Sequence, residues 1–284
     1  MTALTPQVFV PPSLQSGEII AHIHALAAQQ GKSSAFVADK ASDTVLAGQA
    51  TDVTIFQELD FESLTPIGSD WTIALPSTLE SCVAFFKMLQ PDQPDHWALT
   101  HGSGAATAAY WLHSHGAQAL AFDSLDSDPA APDVSAAAKY LEDIYEQWPI
   151  PIAKSWDWRE PLIASSPAYL PDQDGWVNLT GRARHVLSGP FIFLLPGIWK
   201  IEMDVEVDVE TGVPRLAFQW GGAALEKTVF TTLLRRSGRY QVTLEAKITR
   251  PDAAHAMVAT DAAQLQGFLR LKGMKLTYLS PLEA

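Results

Sequence analysis

The 284-residue sequence predicts an α+β protein of two units: a small α/β unit with a Rossmann-like parallel sheet, followed by an antiparallel β-sandwich or jelly roll. Three observations predict it. Apolar residues recur at helical spacing in the first half and at every second position in the second half, the periods of helix and half-buried strand. Charge divides the chain at the same place: up to Ile150 there are four Lys, no Arg and 18 Asp or Glu, and afterwards 15 Lys or Arg and 14 Asp or Glu. From Ile201 to Glu210 an apolar residue alternates with a carboxylate without a break, a pattern that a strand with one dry and one wet face requires. The expected boundaries are 1–150 for the α/β unit, 151–175 for a Pro-rich linker or arm, and 176–284 for the sandwich.

In the first half, Ser16 to Gln30 places Ile19, Ile20, Ile23, Leu26 and Ala27 at helical spacing and stops at Gly31. A short apolar run, Ala35 to Ala38, reads as a strand, and Trp71 to Leu75 as another. Ser77-Thr78-Leu79-Glu80 is a capping box that opens a helix packing Leu79, Val83 and Phe86, and Pro91 ends it. Trp97 to Thr100 reads as a strand, Gly104 to His115 as an Ala-rich helix stopped by Gly116, Ala119 to Phe122 as a strand and Asp133 to Gln147 as a closing helix. Strands separated by helices of these lengths imply parallel crossovers.

Pro149, Pro151, Pro161, Pro167 and Pro171 interrupt the next segment and exclude a helix there. Beyond them the strands read as Trp176 to Leu179, His185 to Leu187, Phe191 to Leu195, Trp199 to Glu210, Leu216 to Trp220, Thr228 to Leu234, Tyr240 to Thr249 and Phe268 to Tyr278. Pro196-Gly197, Gly221-Gly222 and Ser237-Gly238 are among the turns between them. In the last strand Leu269 and Leu271 are odd-numbered but Met274, Leu276 and Tyr278 even, so a β-bulge is expected at Gly273. Same-face residues on a strand stand about 6.8 Å apart, too far for one row of carboxylates to enclose calcium. Lys247, Arg250, Arg270, Lys272 and Lys275 fall on outward positions and are expected beside that row as register-setting pairs.

The run Ser188-Gly189-Pro190-Phe191 to Pro196-Gly197-Ile198-Trp199-Lys200-Ile201, the long alternating strand and the later Ser237-Gly238-Arg239-Tyr240 resemble β-sandwiches of the carbohydrate-binding-module type over residues 176–279. The resemblance implies a jelly-roll-like domain whose relatives bind glycans or accompany glycan-processing enzymes. Such binding needs aromatic faces for sugar rings and planar polar groups for hydroxyls. The candidates are Trp156, Trp158 and Arg159 in the arm, Trp176 and Asn178 at the first strand, and Trp220 beside Gly221-Gly222. Packing of these aromatics in the core or between the units is the competing expectation, and Trp199 shares the parity of the apolar face.

Leu99-Thr100-His101-Gly102-Ser103-Gly104-Ala105-Ala106 reads as a Gly-rich turn between strand and helix, with Asp123 after the next strand. It resembles the first motif of Rossmann-like methyltransferases, which implies a nucleotide or S-adenosylmethionine held by Gly102, Ser103 and Gly104 with its ribose on Asp123. Ala106 stands where a third glycine is usual, and only one helix separates Asp123 from the sandwich.

Other chemistry lacks its residues. His22 and His24, and His113 and His115, are two apart on helices, so their rings point about 200° apart and cannot share a metal. Glycines flank Ser103 directly and not at the two-residue spacing of a hydrolase elbow. Asp123, Asp126, Asp128 and Asp133 read as a solvated acidic loop, and the lone Cys82 as a buried, inert thiol. With so few cations in the first half, nucleic acid and anionic membranes are not expected partners. Residues 1–17 have no cationic start or apolar core of a signal, and a reducing cytoplasm is expected. Non-catalytic carbohydrate or partner binding, without cofactor or metal, is therefore the leading expectation. A reduced Rossmann-like transferase acting in glycan metabolism and an assembly protein forming homo-oligomers are the alternatives.

Overall fold

The computed structural model describes residues 6–13, 16–37, 39, 41, 45, 51–61, 70–75, 79–93, 95–121, 144, 150–158, 163–164, 171–209, 213–223 and 227–282. Backbone contacts divide the chain into two compact units, Met1–Glu142 and Asp143–Ala284. Of the closing helix expected over 133–147 only Ile144, helical and buried, is described; Arg159, Asp123 and Glu210 lie outside the described residues.

The first unit is built on strands β1 (Gln7–Phe9), β2 (Ser34–Phe36), β3 (Val53–Phe56), β4 (Trp71–Leu75) and β5 (Gln118–Ala121), in the spatial order β2-β3-β1-β4-β5. Every pairing is parallel, as the alternation of helix and strand requires. Helix α1 (Ser16–Gln29) buries Ile19, Ile23 and Ala27 against Val8, Val10, Val53, Ile55 and Ala74. It ends where Gly31 takes a left-handed conformation, φ 69°, which costs a residue without Cβ little. The sequence reading omitted β1 and β3. Each spans only three or four residues, too short to show a period, and all four residues of β3 are buried.

Helices α2 (Leu79–Leu89) and α3 (Asp95–Ser114) complete the described part of this unit. Helix α3 corrects the expected strand at 97–100 and the expected glycine turn after it, because residues 95–114 form one continuous helix. Its apolar residues over 97–106, short side chains apart from Trp97 and Leu99, carry little helical periodicity.

The second unit is a sandwich of two antiparallel sheets. The front sheet has the order β13-β10-β15-β6, made of Gly238–Ile248, Gly197–Asp208, Phe268–Ser280 and Ser155–Trp158, with β8 (Val177–Asn178) also paired to β15. The back sheet has the order β12-β11-β14-β9-β7, made of Lys227–Leu233, Arg215–Gly222, Asp252–Thr260, Arg184–Leu194 and Ile163–Ala164. The segment expected to be an arm thus adds one strand to each sheet.

The alternation in β10 does what its period demands: Trp199, Ile201, Met203, Val205 and Val207 are buried. In the back sheet Leu216, Phe218 and Trp220 of β11 are buried likewise. The Trp220 indole N–H donates to the Trp199 carbonyl across the sandwich at 3.1 Å, and the Trp199 indole donates to the Leu195 carbonyl at 2.9 Å. Burial of each large apolar side chain here contributes about 1.5–3 kcal/mol. Strand β14 was not foreseen. All nine of its residues are buried, so its Ala-rich sequence has no polar face to alternate with.

Candidate functional site

The outer face of the front sheet is a ladder of charges whose rows are set by register. Glu202 of β10 lies between Thr243 of β13 and Lys275 of β15, and Lys275 in turn faces Asp157 of β6. Two residues along, Asp204 lies between Gln241 and Gly273; two further, Glu206 lies between Arg239 and Arg270. Arg270 donates to Glu206 Oε2 through Nε at 3.0 Å and Nη2 at 2.6 Å. That hydrogen bond, aided by the nearby charges of Arg270, Arg239 and Lys272, holds the Glu206 carboxyl below the usual carboxylate range. Of the expected basic neighbours, Arg270 and Lys275 therefore stand in the ladder. Lys247 faces Ile198 instead, and Arg250 lies beyond the end of β13.

Between the second and third rows β15 carries one extra residue. Asp204 pairs with Gly273 and Val205 with Leu271, so Lys272 has no cross-strand partner and is exposed. This is the bulge that the change of parity predicts at Gly273, displaced by one residue. It raises the local twist and opens the sheet surface.

Grooves run along this face. One, of about 410 Å³, is lined by Asp157, Glu202, Asp204, Gln241, Lys272, Gly273, Met274 and Lys275. Another, of about 380 Å³, lies over the bulge and is lined by Asp204, Val205, Arg239, Tyr240, Gln241 and Lys272. A third, of about 560 Å³, passes Lys227, Thr228, Glu245 and Lys247. At the far end of the Arg239–Glu206–Arg270 row stands Trp176, half-buried, with the Arg270 guanidinium 4.6 Å from its ring centre. Its loop is stiff. Asp172 Oδ1 accepts the backbone N–H groups of Asp174 at 2.9 Å and Trp176 at 2.8 Å, and Arg270 Nη1 donates to the Asp174 carbonyl at 3.3 Å.

The residues predicted to bind a glycan separate into two groups. Trp156 and Trp220 are core residues: Trp156 is 6% exposed with its ring centre 6.2 Å from that of Trp199, and Trp220 is 1% exposed. Their role as a ligand platform is corrected, because each lies on the inward parity of its strand. Trp158 pairs through its backbone with Met274. Asn178 is exposed, but its Oδ1 accepts the Thr180 N–H at 2.8 Å in a local turn. Among the predicted residues whose side chains are described, only Trp176 joins the grooved face. Asp204, Gln241, Arg239 and Lys272 were not named as site residues, since a row of charges along one strand reads as a ladder until register places its neighbours.

The glycine motif is likewise reassigned. Gly102, Ser103 and Gly104 lie inside α3, where a Cβ on Gly102 would stand 2.6 Å from Val83 Cγ2 and 2.8 Å from Val83 Cα. Ser103 is fully buried and donates to the Thr100 carbonyl at 2.8 Å. The glycine allows α2 and α3 to touch backbone to backbone. With these N–H groups committed to a helix, the turn on which a nucleotide would rest does not exist. Among the described residues no group of three His, Cys, Asp or Glu is placed to hold a metal, and no helix is long and apolar enough to cross a membrane.

No family model and no curated protein matches the chain. Among solved structures, BiXyn10A CBM1 in its apo form is similar at 11% identity, over 45% of this chain and 98% of that one, with a TM-score of 0.29. The CBM22-1 xylan-binding domain of Xyn10C from Paenibacillus barcinonensis is similar at 10% identity, over 45% and 87%, with a TM-score of 0.28. VP2 of the infectious bursal disease virus subviral particle is similar at 9% identity, over 44% and 32%, with a TM-score of 0.29. At these scores the sandwich is defined by its own strand pairing, and its chemistry by its own surface.

Proposed function

We propose that the chain is a non-catalytic glycan-binding protein whose site is the outer face of the front sheet, from Asp157 to Trp176. The observation that carries this reading is the groove over β6, β15, β10 and β13, lined by the hydrogen-bonding side chains Asp157, Glu202, Asp204, Gln241, Lys272 and Lys275. Sugars present donors and acceptors at every ring position, and carboxylates, amides and ammonium groups supply both kinds of partner. The platform is preorganised because every one of these side chains stands on a paired strand, which lowers the ordering cost of binding. Trp176 adds an aromatic edge at one end of the face.

Calorimetric titration of the full chain with xylotetraose, galactotetraose and mannotetraose, and with the uronate counterparts of the last two, tests the reading. At least one saccharide is expected to bind, and Asp204→Ala or Trp176→Ala to weaken it about tenfold, the worth of one good contact. Absence of heat with every saccharide, or affinities unchanged in both variants, would exclude this face.

A second reading, self-association, is favoured by β12. It is an edge strand with Val229 54%, Phe230 47% and Leu233 49% exposed. Exposed apolar edges pair with other strands. The partner we infer is β12 of a second copy, antiparallel about Phe230, so that Val229 and Thr231 oppose each other. Light scattering is expected to give a dimer that Phe230→Lys dissociates; a monomer at all concentrations would refute it.

A further inference from the structure

We propose that the groove over the β15 bulge receives the carboxylate of an acidic saccharide, with Arg239 and Lys272 holding the carboxylate and Asp204 and Gln241 the neighbouring hydroxyls. This inference rests on the glycan reading above and narrows it to uronate-bearing ligands.

The argument begins with charge pairing. A ladder that serves only to set register needs one cation per carboxylate. Around the third row there are three cations, Arg239, Arg270 and Lys272, for two carboxylates, Asp204 and Glu206. Arg270 already engages Glu206 with two hydrogen bonds to one oxygen. Arg239 stands opposite Glu206 on the other side, and among the described residues neither it nor Lys272 closes an ion pair within 4.0 Å. Lys272 owes its place to the bulge: the extra residue removes it from cross-strand pairing and turns it toward the same groove as Arg239.

Two cations over a shallow groove define the class of ligand. A guanidinium presents a planar fork that matches a carboxylate, and an ammonium adds a point charge on a flexible stem. Neutral sugars offer both cations only hydroxyl and ether acceptors, whereas a uronate offers a carboxylate, with which hydrogen bonds are shorter and stronger. Asp204 and Gln241 bound the same groove and can accept from and donate to ring hydroxyls. The adjoining groove has the opposite balance, with Asp157, Glu202 and Asp204 against Lys272 and Lys275. Its excess carboxylate disfavours a second anion there. The ligand is therefore oriented, with its acidic residue over the bulge and an uncharged residue toward β6.

The test uses matched pairs on the full chain: tetragalacturonate against galactotetraose, and tetramannuronate against mannotetraose, titrated calorimetrically in low salt and at about 0.3 M, where the Debye length falls below the size of the groove. The acidic member of at least one pair is expected to bind about tenfold more tightly in low salt, and the advantage to shrink at high salt. The double variant Arg239→Gln/Lys272→Gln is expected to lose that advantage, its acidic and neutral affinities becoming equal, while keeping the melting temperature of the parent, since both side chains are exposed. Equal affinity within both pairs would overturn the uronate assignment and leave the glycan reading standing, as would an acid preference that survives in a folded double variant. Binding of no saccharide, neutral or acidic, would overturn both.

Discussion

Cys82 sits on α2 at 1% exposure, and burial pushes its thiol up to about 12, so no thiolate is present near neutral pH. We expect no reaction with Ellman's reagent in the folded protein and one equivalent after denaturation. Gly102 is constrained from the other direction. In Gly102→Ala the new methyl meets Val83 backbone atoms at 2.8 and 2.9 Å, which cannot give way as a side-chain tip would. Overpacking of this kind costs about 1–3 kcal/mol, to be read as a lower urea midpoint. His255 is 5% exposed, its Nδ1 has no hydrogen-bond partner, and its ring stacks on Phe191 with centres 4.5 Å apart. Burial and the charge of Lys227 lower its pKa, with His185 acting in the same sense and Asp252 and a hydrogen bond to the Ala253 backbone opposing. The unfolded chain, with the ordinary value of about 6.5, then binds this proton at higher pH than the folded one. Stability due to neutral His255 is present above about pH 6.5 and is lost as pH falls from there toward the lowered folded value. Melting temperatures at pH 7.5 and 5.5 are expected to differ less in His255→Gln than in the parent; an identical difference would remove the assignment.

Among the elements, β10 and β15 show how much one register decides. Parity alone made the bulge legible, because Leu269 and Met274 cannot both face inward on a regular strand. What parity could not tell is which cation stands opposite which carboxylate, since that depends on the partner strand's offset. The bulge gives a direct test. Deleting Lys272 removes the extra residue and lets the Asp204–Gly273 and Val205–Leu271 pairs follow one another in a continuous ladder, with Leu269 still inward and Arg270 still outward. The deletion is therefore expected to stay within about 1 kcal/mol of the parent, whereas Leu269→Ala, which empties a core position, is expected to cost about 2–5 kcal/mol. Urea denaturation of the two variants measures the difference.

At the scale of the whole molecule, the described strands of the second unit pair only with one another, as do those of the first. We propose that the two units are independent domains, and expect a chain of residues 143–284, which keeps six of the nine tryptophans, to unfold cooperatively by itself when followed by its own fluorescence. A fragment without a cooperative transition would show that the division is only geometric. The order of architectures was legible beforehand, because hydrophobic period and charge composition are local properties that survive without knowledge of contacts. So was the inward row of β10, where five alternating pairs leave one possible face. Elements with no exposed face, β3 and β14, were not legible, and neither was the continuity of α3 through two glycines whose reason is Val83 on another helix. The tryptophans make the same point: sequence places Trp156 in an arm and Trp176 and Trp220 at strand ends, and the packed sheets put Trp156 and Trp220 inside while leaving Trp176 half-buried. Sequence by itself determined periodicity and therefore which face of each regular element is dry. Tertiary structure decided which residues from different strands share a surface, because register and close approach are properties of pairs of segments and are written in neither segment alone.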